Sequence, residues 1–421
     1  MGAARRVARV AAHVALGLER PAQWQVRAAL TSSALAVGQD RLAQEAALLA
    51  QPTPCLVLDE AKLEANLWRM QRHLDALGVR LRPHVKTAKS AAVALRQEAV
   101  GARGVTVSTL LEAEQMFAAG FRDIVYAVCI DAGKLSRVLA LRQRGCSLTV
   151  LVDSVAAARA VAAEGRARGH VFAVLIEVDC DGHRAGVAPE SRELVEIGAA
   201  LVEGGAELRG VLTHAGSSYE LSSPSALAAL AEQERARCVR AAERLRAAGL
   251  PCPEVSVGST PTALSARGLA GVTEVRAGVY AFFDLVMANV GVCSPSEIAL
   301  SVLATVIGHQ IGKGWVLVDA GWMALSRDRG TQRQHTDFGY GAACDLGGRL
   351  IEGLLVTGAN QEHGILSFPA GDGGDLASRF PIGTKLRILP NHACATAAQF
   401  PVYQLLAPSG QVTELPRFYG W

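Results

Sequence analysis

Val79-Arg80-Leu81-Arg82-Pro83-His84-Val85-Lys86-Thr87-Ala88-Lys89-Ser90 is the stretch on which the fold turns. Its first half, about Val79 to His84, reads as a short strand. A doubly wound open sheet usually follows its first strand with a glycine-rich turn. Here the turn is Pro83-His84-Val85-Lys86, which has no glycine. Upstream, Asp59 is placed to cap a helix with Leu63, Leu67, Met70, Leu74 and Leu77 on one face, and Gly78 ends it. Downstream, strands are predicted near Gly104–Val107, Asp123–Val128, Ser147–Val152, Val171–Asp179, Leu208–His214, Glu254–Gly258 and Thr273–Arg276. With Val79–His84 that makes eight, separated by Ala-rich helical stretches. Eight βα units are what a closed (β/α)8 TIM barrel requires.

After about Leu300 the helical periodicity fades. Ala299–His309, Gly314–Asp319, Leu350–Thr357 and Lys385–Leu389 look like strands joined by Gly- and Asp-rich loops. The expected organisation is an N-terminal extension over residues 1–52, a barrel over 53–298 and a C-terminal β domain over 299–421, with Pro54–Leu58 lent to the β domain as an extra strand. Met1–Leu18 carries Arg5, Arg6 and Arg9 with no acid before Glu19, a pattern similar to an organellar transit peptide. Glu19, Asp40 and Glu45 dilute it and favour a helical arm on a cytoplasmic protein, with organellar import as the alternative.

The 421 residues are 50% hydrophobic, enough for a sizeable core. The net charge of +3 is spread among interspersed acids, which argues against nucleic acid as a partner. Nine cysteines without a CxxC pair suit a reducing compartment. No eighteen-residue apolar run lacks charge, so no membrane partner is expected.

Barrel enzymes carry their chemistry at the C-terminal ends of the strands. Lys86 follows the first. Partial desolvation there would favour the neutral amine that a Schiff base needs, although a single lysine on a turn is more often solvated surface. Asp179-Cys180-Asp181-Gly182-His183-Arg184-Ala185-Gly186-Val187 follows the fifth strand, and His214-Ala215-Gly216 with Tyr219 follows the sixth. Gly258-Ser259-Thr260 and Arg276-Ala277-Gly278-Val279-Tyr280 follow the seventh and eighth, where such barrels customarily bind phosphate. Beyond the barrel, His392-x-Cys394 precedes Thr396. In a strand these two share a face and make half of a zinc site. Spacing alone equally describes an ordinary histidine and cysteine.

In order, Lys86 with its neighbours, the Asp-x-x-x-x-Arg-x-Gly-Val segment, the His214, Gly258 and Arg276 loops and Pro390-Asn391-His392-Ala393-Cys394 resemble the fold-type III pyridoxal-phosphate enzymes. These are the alanine-racemase-like family, and the closer likeness is to its D-serine dehydratase and D-threonine aldolase branch. The resemblance covers about Thr53 to Tyr403 and implies roles. Lys86 would carry pyridoxal 5'-phosphate and act as the catalytic base. Arg184 would face the pyridine nitrogen, and His214 and Tyr219 would line the cofactor. Gly258, Ser259, Thr260, Gly278 and Tyr280 would hold the phosphate. His392 and Cys394 would hold Zn2+ or another divalent metal acting on the substrate hydroxyl. The branch usually reads Lys-Thr-His-Lys where Ala88 stands here. Glu362-His363-Gly364 matches a branch segment and would shape the pocket near the metal. Asp319 and Asp328 read as turn residues. A homodimer is implied by resemblance.

In the resembled branch a His-x-Cys pair is similar to the dehydratases and a His-x-Asp pair to the aldolases, and Cys394 is a soft ligand that suits zinc; the resemblance therefore implies dehydration of the small D-amino acid D-serine to pyruvate and ammonia. D-Threonine aldolase or D-3-hydroxyaspartate dehydratase or aldolase activity is the alternative. A non-catalytic pyridoxal-phosphate-binding protein is a third reading, and the long segment after Leu300 argues against it.

Overall fold

The computed structural model describes residues 40–371 and 373–421. The targeting-or-arm question for residues 1–39 lies outside the described residues. Residues 40–50 are helical and dock on the β domain, where Leu48 is fully buried beside Cys55, Val57, Leu303 and Leu406. Among the described residues no helix is long and apolar enough to cross a membrane.

Eight parallel strands form the barrel: β2 (Arg80–Pro83), β3 (Val105–Val107), β4 (Asp123–Cys129), β5 (Ser147–Val152), β6 (Ala173–Val178), β7 (Glu207–Thr213), β8 (Glu254–Val257) and β9 (Glu274–Ala277). Each lies within two residues of its expected span. Neighbours pair in sequence order and β2 pairs with β9. The β2–β3 seam closes through a single bridge, His84 to Thr106. The strand preceding the Lys86 turn therefore ends at the join of the barrel.

Strand alternation sorts the interior. Ile124, Val150, Val174, Ile176 and Val211 face the helices. Val125, Leu151, Leu175 and Leu212 form a separate apolar cluster on the opposite faces of β4 to β7. Across from it, β2, β8 and β9 contribute an ionic plug. Glu274, with its side chain fully buried, accepts from Arg82 Nε at 2.8 Å, Arg80 Nη2 at 2.7 Å and Ser256 Oγ at 2.6 Å. Arg276 donates to Ser256 Oγ and to the Thr213 carbonyl, both at 2.6 Å. Arg82 also forks onto Asp123 at 2.8 and 2.9 Å.

The β domain is a nine-stranded sheet built from β1 (Cys55–Asp59), β10 (Leu300–Gln310), β11 (Trp315–Val318), β12 (Ala342–Cys344), β13 (Leu350–Ala359), β14 (Gly364–Ser367), β15 (Lys385–Leu389), β16 (Val402–Leu406) and β17 (Val412–Pro416). The β10–β11 pairing closes six of these strands into a small barrel. β1 sits inside the sheet, antiparallel to β10 and parallel to β16. Asp59 ends β1 and accepts from the Lys62 amide at 3.1 Å as the cap of the helix Glu60–Ala76. The chain thus steps from one domain to the other without a linker.

Candidate active site

The C-terminal mouth of the barrel faces β-domain loops across a cavity of about 1170 Å³. Lys86, Arg184, His214, Tyr219, Gly258, Ser259, Thr260, Gly278, His392 and Cys394 all line it. Tyr280 does not. Its side chain is buried behind the wall with its hydroxyl 3.0 Å from Gln97 Nε2, and only its amide reaches the loop, donating to Thr260 Oγ1 at 3.2 Å. The Tyr280 side chain therefore does not reach the cavity, and its backbone alone adjoins the expected phosphate loop.

Lys86 lies just past β2, where its amide approaches His84 Nδ1 at 3.4 Å. Its side chain is exposed toward the cavity, against the expected partial desolvation. His84 and His214 flank it as neutral rings. Burial drives His84 well down, helped by the positive Lys86 and Arg276. Burial also pushes His214 down to about 3, although its Nδ1 sits 3.0 Å from the Gly258 carbonyl. The Tyr219 hydroxyl is pushed up by burial and stays protonated, and its ring is tilted 46° to His214 at 6.1 Å.

Beside Lys86, on the neighbouring strands, the loops after β8 and β9 interlock. Gly258 has φ +133, and a Cβ there would lie 2.2 Å from the Arg276 carbonyl, so only glycine brings these loops together. Ser259 caps the short helix Thr260–Ser265 through a reciprocal bond pair with Thr262. The amides of Thr260, Gly278 and Val279 have no partner among the described residues. Behind the loop sits Glu234, a 2%-exposed carboxyl on the helix Pro224–Ala247. It accepts from the amides of Ala215 at 2.9 Å and Gly258 at 3.0 Å, joining the loops after β7 and β8. Burial raises its pKa. A glutamate in an Ala-rich helix gives no hint of this in sequence; the only signal is its place on the apolar stripe with Leu227, Leu230 and Cys238.

His392 and Cys394 are not on a strand. His392 precedes the short helix Ala393–Ala397, and Cys394 lies within it. The side chains still come close enough to interact, because His392 is the extended cap of that helix and not one of its residues. The helix is pinned to the barrel side by Ala393 N donating to Asp284 Oδ2 at 2.9 Å. Asp328, read as a turn residue, takes His392 Nδ1 at 2.6 Å and orients the ring. Burial opposes a charged imidazole, but Cys394 and Asp328 outweigh it and raise His392 to about 11. Burial would raise Cys394; His392 and Lys86 lower it instead. The Thr87 hydroxyl lies 3.2 Å from Sγ. The pair is thus a thiol with a lowered pKa beside an imidazole oriented by Asp328, residue types that could hold a metal once deprotonated. Asp319 is structural, as expected, held by the Thr305 amide at 2.7 Å and the Thr53 hydroxyl at 2.5 Å. Glu362 and His363 are exposed in the turn joining β13 to β14 and are not among the residues that line the cavity.

A second cluster of ligand type sits in the wall, at the ends of β4, β5 and β6. Atoms of Cys129, Asp153 and Glu177 lie within 4.8 Å of one another. Here burial and then Glu177 push the Cys129 thiol up, so it donates to Glu177 Oε2 at 3.2 Å as a neutral group. A protonated thiol is the poorer ligand. Arg184 Nη2 lies 3.8 Å from Glu177 Oε1.

Residues 58–286 match the family profile "Alanine racemase, N-terminal domain", and residues 299–406 match "Putative serine dehydratase domain". The chain is 64% identical to the D-threo-3-hydroxyaspartate dehydratase of Delftia sp. (strain HT23), over 89% of this chain and 99% of that one. It is 29% identical to a D-serine dehydratase of Dictyostelium discoideum, over 86% and 94%. A solved structure of a cysteine-to-alanine mutant of D-threo-3-hydroxyaspartate dehydratase, described as metal-free, superposes with TM-score 0.88 at 63% identity, over 89% of this chain and 99% of that one. With the barrel and the β domain each matched, the chain belongs to the alanine-racemase-like family of pyridoxal-phosphate enzymes, in its D-serine dehydratase and D-threonine aldolase branch.

Proposed function

We propose that this chain is a pyridoxal-phosphate- and metal-dependent dehydratase of D-threo-3-hydroxyaspartate. The D-serine substrate expected from sequence gives way to this one. The relative named for hydroxyaspartate matches at 64%, more than twice the 29% of the D-serine dehydratase. The observation that carries the reading is that Lys86 and the His392–Cys394 pair, far apart in sequence, line one cavity.

The residues fit both groups. Lys86 would hold the cofactor aldehyde, Arg184 would sit at its ring, and the unpartnered amides of Thr260, Gly278 and Val279 would take its phosphate. When bound, the cofactor supplies an electron sink for the pair left at Cα. His392 and Cys394 would hold a divalent metal, with zinc the best match to a thiolate, supplying Lewis acidity toward the leaving hydroxyl. The metal-free state of the relative's cysteine-to-alanine mutant supports a thiolate ligand there.

The chain's own side chains do the rest. Lys86 Nζ takes the Cα proton. His84 and His214 stand beside that amine with their imidazoles held neutral by burial. Asp328 keeps the His392 ring fixed while water departs from Cβ. Loss of water across Cα–Cβ gives an enamine, whose hydrolysis yields oxaloacetate and ammonia.

The test is a coupled assay for 2-oxo acids with D-threo-3-hydroxyaspartate, D-serine and D-threonine. A kcat/KM for hydroxyaspartate at least about tenfold above D-serine is expected, about 1.4 kcal/mol of transition-state preference. A reversed order returns the enzyme to D-serine, and glycine released from D-threonine as the main product makes it an aldolase.

A further inference from the structure

Resting on the hydroxyaspartate reading, we propose that Arg333 binds the second carboxylate of the substrate and sets the preference for a dicarboxylate over D-serine. Most cations of the cavity are already engaged. Lys89 is held by Glu112 at 3.2 Å, and Arg184 stands 3.8 Å from Glu177. Arg276 spends its donors on Ser256 and the Thr213 carbonyl. Lys86 is assigned to the cofactor. Arg333 lines the same cavity and has no hydrogen bond, ion pair or aromatic partner among the described residues.

The loop that carries it is built rather than loose. Thr331 is fully buried and donates its hydroxyl to Asn391 Oδ1 at 2.6 Å, while accepting from the Phe338 amide at 3.1 Å. Gln334 N donates to the Thr331 carbonyl at 2.9 Å. The Gln334 side chain accepts from Asn289 Nδ2 at 2.9 Å and donates to the Tyr219 carbonyl at 3.1 Å. Asn391 immediately precedes His392. The loop is therefore bonded to the residue beside the metal-ligating pair on one flank and to the cofactor wall on the other.

The chemistry of the substrate places its second carboxylate there. The hydroxyl addressed by His392 and Cys394 and the extra carboxylate share Cβ. A guanidinium presents a planar fork that matches a carboxylate bidentately. D-Serine carries only hydrogens at Cβ besides its hydroxyl and offers that fork nothing.

The test compares wild type, Arg333→Ala and Arg333→Lys as holoenzymes. The readout is the ratio of kcat/KM for D-threo-3-hydroxyaspartate over D-serine, together with calorimetric binding of succinate and of propionate. The Ala variant should lower the ratio by about 10- to 100-fold, the span of one lost charge-assisted bond, with Lys restoring part of it. Succinate binding should weaken in parallel and propionate binding should stay. A ratio and a succinate affinity that both move less than about threefold in the Ala variant overturn the role of Arg333 while leaving the hydroxyaspartate reading intact. A wild type inert toward hydroxyaspartate overturns that reading, and this one with it.

Discussion

Replacing Glu234 by alanine should loosen the cofactor without touching it. The carboxyl is 2% exposed and accepts from two amides, Ala215 at 2.9 Å and Gly258 at 3.0 Å. Those amides begin the His214 loop and the proposed phosphate loop. Removing the acceptor leaves both donors buried and unpaired, at about 1–3 kcal/mol each, so about 2–6 kcal/mol in all. Part of this appears as lost global stability, and part as disorder of the loops that the cofactor must then reorganise. With about 1.4 kcal/mol per decade, even a quarter to a half of the total weakens cofactor binding by about 3- to 100-fold. Glu234→Gln keeps an acceptor oxygen at the same place and should lose far less. The assay is titration of the apoenzyme with pyridoxal phosphate, followed by its visible absorbance. An alanine variant that folds and binds the cofactor as tightly as wild type would refute the reasoning.

Three further outcomes are expected. Lys86→Ala should abolish both turnover and the visible band of the bound cofactor; an intact band after dialysis would move the attachment point elsewhere. Asp328→Asn should reduce metal affinity by about 10- to 100-fold, because His392 loses the carboxylate that fixes its ring; this is measured by competition with a chromogenic chelator. The third concerns acid stability. Burial raises the Glu274 carboxyl, but Arg82 and Arg80 outweigh it and hold the pKa at about 2, below the ordinary 4.5. A depressed carboxylate contributes stability above its unfolded pKa and loses it as pH falls from about 4.5 toward 2. The 2.5-unit difference corresponds to about 3 kcal/mol. Urea unfolding of Glu274→Gln should be weaker at neutral pH and flatter than wild type across that acid range.

The barrel was legible because its strands are fully apolar on the helix-facing side and are punctuated by glycine, so period and boundary agree. The β domain was only half legible. β12 is a three-residue strand, β16 is buried almost throughout, and β17 mixes exposed polar with buried positions, so no alternation announces them. Lys86, Arg184, His214 and the Gly258 loop could be placed by counting strand ends. The His392–Cys394 pair was found with the wrong local geometry, because two residues apart on a strand and two apart across a helix cap give the same letters. Tyr280 was assigned to the phosphate by resemblance, and its side chain packs behind the cavity wall against Gln97, which position in the sequence does not reveal. Asp328 and Glu234 were missed because each acts through a partner distant in the chain, and Arg333 because an unpartnered arginine on a loop has no local signature. No local pattern encodes Asp328 meeting His392 or Glu234 meeting Ala215 and Gly258.

β1 has a mechanical consequence. It is zipped on both edges, to β10 and β16, and its last residue caps the helix whose Asn66 reaches the carbonyls of Ala281 at 3.3 Å and Glu297 at 3.0 Å. The two halves of the crevice therefore share one continuous rod. Gaping like a jaw would require unzipping two ladders, a motion far costlier than the hinge bending of enzymes whose lobes join by flexible connectors. Substrate has to pass through an aperture of fixed frame, admitted or refused by side chains at its lip.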